Sequence, residues 1–109
     1  MDDIRWDRDF ALEQAGDDEN LLRELLTIFA GTVAENRREI EEALPENDRQ
    51  LMARAAHSIK GSASSLGFWQ VADMANTIEE QAREGGDTAE AWQLLAMIKA
   101  LEAKLPSLA

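Results

Sequence analysis

The sequence predicts an all-α protein, an antiparallel up-and-down four-helix bundle with a short additional N-terminal helix. Apolar residues recur at helical spacing in four long segments, and no stretch alternates apolar and polar residues for long enough to form a strand. The segments between the four helices are short, which favours antiparallel neighbours. With 109 residues, the chain is expected to form a single domain over residues 1–109.

The first helix is predicted over about residues 7–15 and ends at Gly16. It is expected to act as a small lid, with Trp6, Phe10 and Leu12 as its apolar residues. The second helix is predicted over about residues 18–44, because an acidic cluster suits its N-terminus and Pro45 is expected to stop it. Its inward stripe consists of Leu22, Leu26, Phe29, Val33, Ile40 and Leu44.

Three more helices are predicted over about residues 48–66, 68–84 and 88–105. Asp87-Thr88-Ala89-Glu90 resembles a capping box that opens the last of them. The residues expected to end these helices are Gly67, Gly85 and Pro106. The inward positions are Met52, Ala55, Ala56, Ile59, Ala63 and Leu66, then Val71, Ala75, Ile78 and Ala82, and finally Ala91, Leu94, Leu95, Ile98, Leu101 and Leu105.

The charge of the chain restricts its partners. It has 11 Lys and Arg against 22 Asp and Glu, for a formal net charge of −11. This charge repels nucleic acids and anionic lipid surfaces, so we expect protein partners and no contact with nucleic acid or membrane. The absence of cysteine excludes disulfides, thiolate metal sites and a thiol nucleophile. Without a signal-peptide pattern or an apolar stretch of about 18 residues, a cytoplasmic location is expected.

His57, the only histidine, lies in the segment that carries the most chemical information. At about 100° per residue, His57 lies roughly 160° to 200° from the inward stripe centred on Ile59, so its ring is predicted to point outward. Lys60 and Gly61 follow at the two spacings that place neighbours on one helix face. A glycine inside a helix costs about 1 kcal/mol relative to alanine, and here it would leave space beside the ring for a bulky tetrahedral group. Lys60 would supply a mobile positive charge.

The pattern His57-x-x-Lys60-Gly61, followed by small residues and then Leu66-Gly67, resembles histidine-containing phosphotransfer (HPt) domains. The resemblance covers roughly residues 7–105. Other segments that resemble the family are Gly16-Asp17 to Phe29, and Ile78-Glu79 followed by Arg83 and Gly85.

This resemblance implies a site. His57 would be the phosphoacceptor, Lys60 and Gly61 would shape its surroundings, and Glu79 would hydrogen-bond the ring from the facing helix. Many relatives carry Gln at the position of Glu79, whereas a carboxylate is more like the version found in chemotaxis kinases. If Glu79 accepts the hydrogen bond of Nδ1, Nε2 becomes the outward nucleophile.

The function implied is the relay of a phosphoryl group, as phosphohistidine, between receiver-domain aspartates or from a histidine kinase in a two-component system. The expected partners are a response-regulator receiver domain, a hybrid sensor histidine kinase, or both. The chain would be a monomeric phosphoryl carrier, not an enzyme, with no metal or cofactor of its own, and Mg²⁺ would come with the receiver. The residues predicted to contact a partner are Phe10, Leu21, Leu25, Ile28, Ser58 and Ser64.

Three alternative functions differ in how well the sequence supports them. The same outer face would also suit a phosphorylation-independent helical adaptor that binds a receiver or kinase. A ferritin-like metal or cofactor bundle needs Glu-x-x-His pairs from two helices, which one histidine cannot supply. A Ser-His-Asp hydrolase is weakly supported, because no nucleophile-elbow motif accompanies the serines.

Overall fold

The computed structural model describes residues 4–86 and 88–108 and contains five helices in this part of the chain. They are α1 (Arg8–Gln14), α2 (Glu19–Glu46), α3 (Arg49–Ser65), α4 (Trp69–Glu84) and α5 (Ala91–Leu108). In the bundle, α3 packs between α2 and α4, and α5 packs against the same two helices from the opposite side. None of the described helices is long and apolar enough to cross a membrane. The predicted all-α bundle with a short first helix is therefore confirmed.

Aspartates begin three of the helices. The carboxylates of Asp7, Asp18 and Asp48 accept hydrogen bonds from free backbone N–H groups in the first turns of α1, α2 and α3. Because these amides have no partner within the helix, each aspartate both satisfies a donor and suits the positive end of the helix dipole. Gly67 and Gly85, the residues expected to end α3 and α4, follow these helices in the left-handed conformation, with φ of 81° and 75°.

Two helix ends were predicted wrongly, and the last helix begins later in the sequence than predicted. Pro45 does not stop α2, which includes it in its last turn, and Asn47 turns the chain with φ of 50°. Pro106 likewise lies inside α5. A proline this close to a C-terminus removes one backbone donor without interrupting the turns before it. The last helix begins at Ala91 instead of residue 88, after a turn. Asp87, the first residue of the predicted capping box, lies outside the described residues.

The core follows the predicted stripes closely. Each residue predicted to face inward is buried except Leu44, which is half-buried. The prediction omitted Phe68, which is fully buried. Its ring stacks with those of Trp6 and Phe29, with centroid distances of 5.5 and 5.1 Å. Aromatic stacking therefore fixes the N-terminal segment to the end of the bundle.

Backbone and side-chain hydrogen bonds reinforce this attachment. The indole of Trp6 donates to the carbonyl of Leu66 at 2.8 Å, and the backbone N–H of Asp7 donates to the carbonyl of Gly67 at 3.1 Å. The indole of Trp69 donates to a carboxylate oxygen of Asp7 at 3.1 Å. These bonds join the N-terminal segment to the loop between α3 and α4 and to the first residue of α4.

Candidate functional site

His57 projects from the outer face of α3. Its side chain is 63 % exposed, whereas Ile59, two residues further along, is fully buried. The helical period thus produces the outward orientation predicted for the ring. A rigid helix holds the imidazole where another protein can reach it.

Glu79 approaches this ring from α4. Its Oε2 atom lies 3.0 Å from Nδ1 of His57, and its side chain is only 9 % exposed. The burial of Glu79 is incompatible with the role of a solvated helix carboxylate, which is the ordinary alternative for a glutamate on a helix. The facing helices therefore bring together two residues that lie 22 positions apart in the sequence.

Two cations compensate the buried carboxylate. Lys60 Nζ lies 2.8 Å from Glu79 Oε1 and donates to Asn76 Oδ1 at 3.3 Å. Arg83 places Nη2 at 2.9 Å and Nε at 3.0 Å from Oε2, the oxygen that also contacts His57. The predicted site did not include Arg83 or Asn76. The Glu79-to-Arg83 spacing of four residues, which pairs opposite charges on a helix, is the sequence signal that points to Arg83.

The charge of Glu79 determines which ring nitrogen carries the proton. Burial alone raises the pKa of this carboxyl, but Lys60, Arg83 and His57 outweigh burial and lower the pKa to about 2. Glu79 is therefore ionised at neutral pH and can only accept a hydrogen bond. At 3.0 Å, Nδ1 of His57 must then be the donor. In the neutral ring this leaves the lone pair on Nε2.

Space is open beside the ring at Gly61. A Cβ atom added there would meet no atom within 4 Å outside its own helix backbone. Packing in the free protein therefore does not require glycine at this position, although helix propensity disfavours it. Small residues continue on this helix, where Ser58 and Ser64 are half-buried and the hydroxyl of Ser62 donates to the carbonyl of Ser58 at 3.0 Å.

The residues predicted to contact a partner differ in their exposure, and two of them line a groove. Leu25 and Ile28 line a groove of about 260 Å³ between α2 and α3, together with Ser62 and Ser65. Leu21 is exposed but lies outside this groove, as do Ser58 and Ser64. Phe10 is half-buried, and its ring packs against Trp69 with centroids 4.8 Å apart.

Comparison with protein families and solved structures finds clear similarity. The model of the Hpt domain family matches residues 24–104. The fold is similar to the HPT domain of a sensor hybrid histidine kinase from Shewanella, with a TM-score of 0.83, 22 % sequence identity and coverage of 94 % of this chain and 92 % of that one. It is also similar to histidine-containing phosphotransfer protein B (HptB) from Pseudomonas aeruginosa PAO1, with a TM-score of 0.81, 27 % identity and coverage of 94 % and 89 %. No curated protein matches significantly.

Proposed function

The chain belongs to the Hpt domain family, whose role is histidine phosphotransfer in two-component phosphorelays, and on that premise we propose that His57 is its phosphoaccepting residue. The observation that supports this assignment best is the contact between Nδ1 of His57 and the buried carboxylate of Glu79 at 3.0 Å. That contact fixes the proton on Nδ1 and turns the lone pair of Nε2 toward solvent. The ring is then a nucleophile without further activation.

The transfer itself is a displacement at phosphorus. The lone pair of Nε2 attacks the phosphorus of a receiver's aspartyl phosphate, or of the phosphoryl donor held by a histidine kinase. The Nε2–P bond forms while the P–O bond breaks, and the electron pair of that bond leaves with the aspartate carboxylate or the kinase-bound leaving group. Nδ1 of His57 keeps its proton, so the ring becomes positively charged, and Glu79 stabilises it. The same steps in reverse pass the phosphoryl group to the next aspartate.

The neighbours of His57 have complementary roles in this proposal. Lys60 supplies a positive charge for the phosphoryl oxygens, which bear most of the charge during transfer. The open space at Gly61 accommodates the tetrahedral group and the partner that carries it. Docking of the two proteins places the reacting atoms in line, which is the main source of rate acceleration on this side.

The partners proposed are those with which the family interacts, histidine kinases and receiver domains. The groove lined by Leu25 and Ile28 provides an apolar contact surface next to α3. Within residues 4–86 and 88–108, no three His, Asp or Glu side chains are grouped so as to hold a metal ion. We propose that Mg²⁺ is bound by the receiver and that this chain acts as a phosphoryl carrier that does not turn over alone.

Phosphorylation assays test the proposal directly. The purified chain is incubated with radiolabelled phosphorylated receiver domains and, separately, with an active hybrid kinase. We expect early label on the wild type that is lost in acid and survives base, as a phosphoramidate does, and no label on His57→Gln. Circular dichroism of the variant should match the wild type, because an exposed side chain contributes little to packing.

Two other results would refute the assignment. Undiminished labelling of His57→Gln would place the phosphoryl group elsewhere. If neither protein is labelled but both bind a receiver equally, the chain is a phosphorylation-independent adaptor.

A further inference from the structure

The two oxygens of Glu79 have different partners. Oε2 lies 3.0 Å from His57 Nδ1 and contacts both Nε and Nη2 of Arg83. Oε1 lies 2.8 Å from Nζ of Lys60. Orientation of the ring therefore depends on the oxygen held by Arg83, and the lysine occupies the other.

The two cations are also held differently. Arg83 Nε donates a directed hydrogen bond to Oε2 at 3.0 Å. Lys60 Nζ divides its contacts between two acceptors, Glu79 Oε1 at 2.8 Å and Asn76 Oδ1 at 3.3 Å, whereas both contacting nitrogens of Arg83 lie on Oε2. A lysine side chain is flexible and a guanidinium forms a rigid fork, so Lys60 is the cation that can leave.

We infer that Arg83 is a positioning residue for phosphotransfer, which holds Glu79 Oε2 against His57 and keeps the carboxylate paired when Lys60 moves from Oε1 to the incoming phosphoryl group. This inference rests on the proposed phosphotransfer through His57. It assigns Lys60 two successive partners and Arg83 one permanent partner.

The need for a second cation follows from charge and burial. If Lys60 were the only cation near Glu79, its departure would leave a carboxylate that is 9 % exposed facing a phosphoryl group of the same sign. A buried charge that loses its partner is strongly destabilised. Lys60 would then stay on Glu79, and the phosphoryl oxygens would lack their cation. With Arg83 in place, the lysine is free to move.

Rates of phosphoryl uptake in single and double variants test this division of tasks. Arg83→Gln should slow uptake about tenfold, the loss typical of a residue that orients a functional side chain. Adding Glu79→Gln to Arg83→Gln should restore the rate of uptake to that of Glu79→Gln alone, because a neutral amide needs no cation. Lys60→Gln should also slow uptake, but adding Glu79→Gln to it should not restore the rate. The cation that pairs with the phosphoryl oxygens is missing from both of these variants.

Arg54→Gln is the matched control. Arg54 is an exposed arginine three residues before His57, and it makes no ion pair within residues 4–86 and 88–108. If Arg83 acted only through general positive potential, the two arginine variants would be equally slow, and the inference would be wrong. It would also be wrong if Glu79→Gln rescued Lys60→Gln as fully as it rescues Arg83→Gln.

A second readout needs no phosphoryl group. Ring ¹⁵N chemical shifts of His57 in the unphosphorylated protein report which nitrogen carries the proton. We expect mainly the Nδ1–H form in wild type and Lys60→Gln, and a mixture of both tautomers in Arg83→Gln. An unchanged tautomer in Arg83→Gln refutes the positioning role. Failure of the wild type to take up any phosphoryl group would instead refute the proposed function, so the two failures are distinguishable.

Discussion

Acid should destabilise the fold in part through Glu79. Burial raises the pKa of this carboxyl, but Lys60, Arg83 and His57 outweigh it and lower the pKa from 4.5 to about 2. A carboxyl with a depressed native pKa stabilises the fold above its unfolded pKa, and that stabilisation is lost as the pH falls toward the native value. The contribution of Glu79 should therefore be complete above about pH 5 and decline between pH 5 and pH 2.

The size of the effect follows from the two pKa values. A shift from 4.5 to about 2 corresponds to about 3 kcal/mol of stability when Glu79 is ionised in both states. By linkage, about 2 kcal/mol of this stability is lost between pH 7 and pH 3. At pH 3 the native carboxyl is still mostly ionised, whereas the unfolded one is mostly protonated. These values are upper limits, because the side chain of Arg83 is 56 % exposed and solvent screens its charge.

Urea unfolding of the wild type and Glu79→Gln at pH 7, 5, 4 and 3 provides the assay. The two proteins share all other acidic groups, so the difference between their free energies of unfolding isolates Glu79. We expect this difference to be constant from pH 7 to pH 5 and to shrink by up to about 2 kcal/mol by pH 3. A difference that stays constant down to pH 3 would show that Glu79 titrates normally and that its two cations do not hold it ionised.

Three other predictions concern glycines and the partner surface. Gly67→Ala should lower the free energy of unfolding by more than the ~1–2 kcal/mol expected for a left-handed backbone, because its Cβ would also lie 2.7 Å from the carbonyl oxygen of Asp7. Gly31 lies in α2 with open space around it, so Gly31→Ala should raise the free energy of unfolding by about 0.5–1 kcal/mol. Thermal unfolding measures both changes. Gly61→Ala should stabilise to a similar degree, and Gly61→Gln should slow phosphotransfer; equal rates would show that the glycine has no steric role. Ile28→Glu should weaken the binding of a receiver measured by calorimetry. Trp92→Glu is the control, because Trp92 is 64 % exposed and Ile28 is 65 % exposed, and it should leave the affinity unchanged. Equal receiver affinities for the two variants would place the docking surface elsewhere.

The helices could be predicted because their apolar spacing is regular. Leu22, Leu26 and Phe29 follow the period of α2, and burial against the other helices satisfies that pattern. The ends were harder to predict, since Pro45 and Pro106 are usually helix terminators but are tolerated in a last turn. Helix boundaries depend on a few backbone bonds, whereas the stripe is set by many side chains.

The site could be predicted only in part. The outward direction of His57 follows from the helical period, but the contact of its ring with Glu79 crosses from α3 to α4 and depends on how the two helices pack. Spacing within one helix cannot give that register. The family resemblance supplied Glu79, and the role of Arg83 emerged only when the two oxygens of the carboxylate could be distinguished.

The three charged side chains joined by ion pairs beside His57 have a net charge opposite in sign to that of the whole chain. The formal net charge of −11 would oppose the approach of a phosphorylated aspartate and its acidic surroundings. Within this cluster, however, Lys60 and Arg83 carry two positive charges against the one negative charge of Glu79. A glutamine in place of Glu79 could accept the same hydrogen bond without requiring a compensating cation. The carboxylate orients the ring more strongly, but it needs Arg83 as a permanent partner so that Lys60 can leave it for the phosphoryl group.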